Sequence, residues 1–150
     1  MIKILAYFFM KNRVLSVTII AWAVTQTLKV TLGVIKSKKF DFRWFIGTGG
    51  MPSSHAAGAT ALALSSGLEL GFSSPIFALA FVFALVTMFD AQGVRRSAGR
   101  QAEILNKILD DIYWQGRIKE EKLKELLGHT PFQVMVGTVI GILIALYFYL

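Results

Sequence analysis

The chain has two histidines, and each stands just ahead of an apolar stretch. His55 closes Gly50-Met51-Pro52-Ser53-Ser54-His55, and His129 lies in Gly128-His129-Thr130-Pro131. Imidazole exchanges protons near neutral pH, and a helix start offers free N–H groups and a positive dipole end. Two such groups at two helix mouths, in a chain of net charge +7, point to the binding and processing of an anion, phosphate first. Helix ends aimed at one spot would disfavour protonation of a nearby imidazole and keep it nucleophilic, while a second imidazole protonates a departing alcohol. Cations drawn from Lys36, Arg43, Arg95, Arg96 and Arg100 would hold the phosphoryl oxygens. Ser53 or Ser54 can cap the first helix, and Gly47, Gly49 and Gly50 let its loop approach closely.

The elements that must position these groups are apolar helices. With 55% hydrophobic residues and a mean hydropathy of +0.59 over 150 residues, the chain has more apolar side chain than one small soluble core can hide. The fold class expected is all-α: an integral membrane helical bundle of about four spans, forming a single domain over residues 1–150. Zero Cys excludes disulfides, Cys-type zinc sites and thiol chemistry. No metal or cofactor is expected. Met1 to Arg13 contains an apolar stretch too short to span and without a small-residue cleavage site, and reads as an interfacial anchor.

Val14 to Ile35 is charged only at Lys29 and is long enough to cross the hydrocarbon layer. His55 to Leu70 is rich in Ala, Gly and Ser, the composition of a buried central span. Gly71-Phe72-Ser73-Ser74 then forces a tight helical hairpin into a third span, Pro75 to Phe89. Pro131 to Leu150 is the fourth. Val94 to Tyr113 places Ile104, Leu105, Ile108, Leu109 and Ile112 at helical spacing opposite Glu103, Lys107, Asp110 and Asp111. This is an amphipathic surface helix lying on the membrane or on the bundle, and Ile118 to Leu127 reads as a charged connector. Gly137 and Gly141 form a small-xxx-small pair that packs helices within one protomer or between subunits of a homo-oligomer. Trp22, Trp44 and Trp114 read as interfacial anchors.

Four crossings put both histidines on one side, with twelve of the 16 Lys and Arg residues; Lys3, Lys11 and Arg13 lie opposite. By the positive-inside rule the shared side is cytoplasmic. The basic face also suits anionic lipid, and no nucleic-acid partner is expected.

Three segments carry a family resemblance: Gly49-Gly50-Met51-Pro52-Ser53-Ser54-His55-Ala56, Asp90 to Ala102 with Arg95, Arg96 and Arg100, and Leu127-Gly128-His129-Thr130-Pro131. In this order they resemble the divergent branch of the PAP2 family, similar to membrane lipid phosphatases and related to acid phosphatases and vanadium-dependent haloperoxidases. The resemblance implies that His129 is the nucleophile of a phosphohistidine intermediate, that His55 is the general acid, and that Ser53 and Ser54 line the phosphate pocket. Lys36 and Arg43 match the spacing of the first family motif, with Trp44 in place of its Pro. Lys29 is a rival for the Lys role, because a lone charge in a span is costly unless used. No Arg closely precedes His129, so Arg95, Arg96 or Arg100 would substitute. The family's acid position is Gln133, which orients the ring without a negative charge; Asp90 is an alternative partner, or a cap for the helix bearing the arginines.

The function these expectations define is a membrane phosphatase that releases phosphate from a phosphomonoester or diphosphate lipid in the bilayer. Two other classes stay open at this stage: a non-catalytic anion-binding or transport protein that retains the site, and a plain membrane scaffold.

Overall fold

A computed structural model describes residues 11–38, 50–113 and 128–150, and they form five helices: α1 (Arg13–Ser37), α2 (Ser54–Leu70), α3 (Pro75–Gln92), α4 (Val94–Tyr113) and α5 (Pro131–Tyr149). Local chemistry sets most of the ends. Ser53 caps α2 by accepting a hydrogen bond from the Ala56 amide (3.3 Å), and Ser74 caps α3 through the Phe77 amide (3.1 Å). Thr130 caps α5 in a reciprocal box with Gln133, and Pro75 and Pro131 fill first-turn positions where an N–H would lack a partner anyway. Gly71, at φ 87°, ends α2 and opens the hairpin, which the edge-on pair Phe72–Phe77 closes at 5.1 Å between ring centroids.

α1, α3 and α5 are long and apolar enough to cross a membrane, the α3 stretch running on into α4. α2, at 17 residues, is the shortest of the four helices in the bundle and packs against all three of the others. The expected buried central span, His55 to Leu70, is therefore the central strut. Residue pairings fix the directions. Arg13 at the start of α1 stacks on Tyr149 at the end of α5 and donates to the Phe148 carbonyl, so these helices are antiparallel. Ala80 and Ala84 of α3 cluster with Ala59 and Ala63 of α2, and the short turn from Leu70 to Pro75 makes these two helices antiparallel as well. α2 and α5 run parallel, with Gly137 beside Ser53 and Gly141 beside Ala57. All the long-helix ends that carry the sequence's polar motifs therefore lie at one end of the bundle.

The interior is made of small side chains and the exterior of large apolar ones, the reverse of a soluble core. Ala21, Ala56, Ala57, Ala61 and Ala145 are fully enclosed, whereas Leu79, Val86, Phe89 and Leu143 are well exposed. Where lipid is the solvent, packing of close backbones holds helices together and bulky side chains meet the acyl chains. The tightest contact is between α2 and α5. A Cβ at Gly137 would run into the Ser53 carbonyl, and one at Gly141 into the Ala57 carbonyl. The glycine pair thus acts within the protomer. Gly141→Ala must push the helices apart, and its expected cost is about 1–3 kcal/mol, read as a lowered midpoint of thermal unfolding in detergent.

α4 leaves the end of α3 directly and makes its helix contacts with α3 alone among the described residues, burying Ala102 and Asn106 and exposing Ile104 and Leu105. Its amphipathic pattern agrees with the sequence reading. The N-terminal anchor, the Ile118 to Leu127 connector, Trp44 and Trp114 lie outside the described residues.

Candidate functional site

The parallel α2 and α5 begin at the same level because the Ser53 amide donates to the Gln133 carbonyl at 3.1 Å. His55 occupies the first turn of α2. His129 sits just outside α5, its amide donating to the Ala91 carbonyl at the end of α3 (3.0 Å) and its preceding residue, Gly128, at φ 103°. That left-handed turn suits glycine and lets the chain enter α5 with the ring turned inward. The two imidazole rings lie 6.4 Å apart between centroids, tilted by 54°. His129 is buried and His55 half-buried.

Gln133 does three things at once. Its side-chain oxygen accepts from the Thr130 amide at 3.0 Å, lies 3.3 Å from His129 Nδ1, and its backbone carbonyl holds Ser53. A carboxamide oxygen accepts, so a neutral ring bonded to it carries its proton on Nδ1 and its lone pair on Nε2. The residue in the family's acid position thus orients the ring.

Among the described residues, the cation at this site is Lys29. It is buried in α1, with Nζ 3.5 Å from Ser54 Oγ. Its stem passes beneath Gly50, at φ 83°, where an added Cβ would lie 3.6 Å from Lys29 Cγ. Lys36, one heptad further along α1, is exposed in the last turn. The structure therefore brings together His55, His129, Ser53, Ser54, Gln133 and Lys29, and leaves Lys36 outside that group. The sequence signal for Lys29 is the lone charge inside a span.

Burial holds the proton affinity of His129 below the usual histidine range, and the positive charges of Lys29 and His55 add to this; the contacts with Gln133 and the Gly50 backbone oppose it. The direction agrees with the sequence expectation of a neutral imidazole. The causes are desolvation first and the neighbouring positive charges after it.

Of the remaining candidates, Asp90 lies inside α3, four residues before α4 starts, and so is not at the N-cap position of the helix bearing the arginines. Arg100 is exposed on α4. Arg43 and the side chains of Arg95 and Arg96 lie outside the described residues. Among the described residues, no three His, Cys, Asp or Glu side chains gather as a metal-binding group.

Lipid-facing helices with a buried cation and two imidazoles at one end define an integral membrane protein with a polar site at the mouth of its bundle. The chain belongs to the divergent PAP2 family, whose model matches residues 10–144. It is similar to the uncharacterized membrane protein YuiD of Bacillus subtilis, at 45% identity over 132 residues, covering 81% of this chain and 84% of that one. No solved structure matches.

Proposed function

We propose that the protein is a membrane lipid-phosphate phosphatase whose site opens to the cytoplasmic face and which works through a phosphohistidine on His129. The observation that carries this reading is the spacing of the two rings, 6.4 Å across a site flanked by a buried lysine. Nucleophilic attack needs nitrogen and phosphorus within roughly 3–3.5 Å, and a general acid must come within roughly 3 Å of the leaving oxygen. Two rings this near one another can both reach a single phosphoryl group bound at the mouth of the site.

In the first step His129 Nε2 attacks phosphorus as the phosphorus–oxygen bond to the lipid breaks, and protonated His55 gives its proton to the departing alkoxide. In the second, water attacks the phosphorus of the phosphohistidine, His55 takes the water's proton, and the nitrogen–phosphorus bond breaks to give phosphate and the original enzyme. Lys29 neutralises charge on the equatorial oxygens, with Ser54 beside it. Ser53 is committed to capping α2, so its contribution is to hold His55 in place. Arg43, Arg95, Arg96 and Arg100 remain proposed contributors to the basic rim.

The test is phosphate release from a panel of lipid phosphates (phosphatidic acid, phosphatidylglycerol phosphate, polyprenyl diphosphate) by purified protein, with and without a chelator. Release that persists with chelator supports the reading. Phosphate binding without release on every substrate would favour the non-catalytic anion-binding alternative, which the neutral Gln133 makes specific.

Two further outcomes follow. Because His129 must be neutral to attack and its proton affinity is held below the ordinary value of 6.5, the acidic limb of kcat/KM lies below pH 6.5. Gln133→Glu keeps the capping box and places a negative charge against Nδ1, stabilising the imidazolium that develops on attack. Turnover rises and the acidic limb moves to higher pH. A pH–rate profile of the two proteins checks both.

A further inference from the structure

α1 and α3 both pack on α2, yet among the described residues their backbones do not approach each other closely. The gap leaves a strip of α2 uncovered. It forms a groove of about 270 Å³, floored by Gly58, Ala59 and Leu62 and walled by Trp22 on one side and Phe83 and Thr87 on the other. One end of the groove is His55 itself. At the other end Leu62 also lines a second cavity, of about 480 Å³, that continues past Ser66 and Leu70 to Arg13 at the far end of the bundle. From His55 to Leu70 an α-helix rises about 22 Å, so the two cavities together follow α2 through most of its length.

Gly58 gives the groove its depth for a reason unlike that of Gly137 and Gly141. A Cβ there would meet only Trp22 Cβ at 3.6 Å and the Thr18 carbonyl at 4.0 Å, both ordinary contacts. No helix contact demands glycine, and its absent side chain leaves open space beside the reactive histidine.

We propose that this groove receives the hydrocarbon chain of a lipid whose phosphate lies between His55 and His129. The inference rests on the phosphatase reading for the identity of the headgroup. The occupant follows from three features: the lining is almost wholly apolar, so a polar ligand would find no partner; the open side faces the bilayer; and the inner end is His55, so whatever fills the groove is continuous with the phosphate site. A helix of a second copy would cover the strip but would have no reason to end at the imidazole.

The experiment uses the full chain in nanodiscs and a 16-carbon alkyl phosphate carrying a photoreactive diazirine at mid-chain, with adducts mapped by mass spectrometry. Labelling of Trp22, Phe83 and the Gly58 to Leu62 segment, competed away by unlabelled alkyl phosphate, is the expected result. Gly58→Leu fills the groove and displaces several methylenes, each worth a factor of about four in affinity, so labelling falls at least ~10-fold. Thr87→Trp narrows the groove from the opposite wall and gives the same loss should Gly58→Leu fail to fold. In turnover, both variants lower the ratio of long-chain to short-chain kcat/KM.

The readouts separate the two claims. Competed groove labelling without phosphate release supports the groove and removes the phosphatase reading. Phosphate release with labelling elsewhere, or with an unchanged chain-length ratio, overturns the groove and leaves the phosphatase standing. Cross-links between protomers through Trp22 or Thr87, with no lipid adduct, also overturn it and assign the strip to a second copy.

Discussion

His129→Ala abolishes phosphate release from every substrate, whereas the loss in His55→Ala depends on the leaving group. Without His129 there is no nitrogen to take the phosphoryl group, and turnover falls by at least ~10³-fold for alkyl and aryl phosphates alike. His55 matters as a proton donor to the alkoxide. With an alkyl phosphate its removal costs about 10²–10⁴-fold, the usual range for a general acid. With p-nitrophenyl phosphate the leaving phenolate departs without a proton, and most of that loss disappears. Michaelis–Menten analysis of both variants on the two substrate types checks the assignment. Equal sensitivity of both variants to the leaving group would show that the roles are wrongly divided. In the proposed mechanism the division follows the surroundings of the rings: the buried His129 meets Gln133 at Nδ1, while the half-buried His55 lies 6.4 Å away between ring centroids.

Lys29→Met lowers kcat/KM by about 10²–10³-fold, the loss seen when one preorganised donor to a developing oxyanion is removed. Lys36→Ala, an exposed change one heptad away, stays within about twofold. The contrast is the sharpest consequence of the structure, because the family motif spacing favours Lys36 and the coordinates favour Lys29. Stability gives an independent reading. A buried ammonium replaced by an apolar chain of similar length is neutral or stabilising to the fold, so Lys29→Met should unfold no earlier than the parent protein. A loss of activity without a loss of stability marks the lysine as functional. The pH profile moves too: removing Lys29 takes away one of the charges that oppose protonation of His129, so the acidic limb rises toward pH 6.5.

Much of the fold was legible in the residues because its determinants are local. Thr130-Pro131 announces the start of α5 and Ser74-Pro75 that of α3, since an N-cap oxygen and a residue without an N–H satisfy the first turn wherever they occur. The Gly71 hairpin, the small-residue composition of α2 and the glycine pair of α5 likewise state their packing in sequence. Gln133 enters as an orienting partner through the family resemblance, whose acid position four residues after His129 it occupies. Even the sharing of one face by both histidines follows from counting spans.

The choice between Lys29 and Lys36 could not be made that way. Seven residues apart, they lie on nearly the same face of α1 and differ by about 10 Å in height. Which one meets the start of α2 depends on how far α1 has slid along it. That register is fixed by contacts distant in sequence: Trp22 against Gly58, and Arg13 against Phe148 and Tyr149 at the other end. The separation of the imidazoles is also a tertiary quantity, set by how closely Gly137 and Gly141 let α5 approach the backbone of α2. Sequence alone determined which side chains face one mouth of the bundle, because caps, spans and breaks are properties of short stretches. Only the packed structure decided which of Lys29 and Lys36 reaches that mouth, how near the rings come, and that an apolar groove ends at His55, because each is a distance between helices.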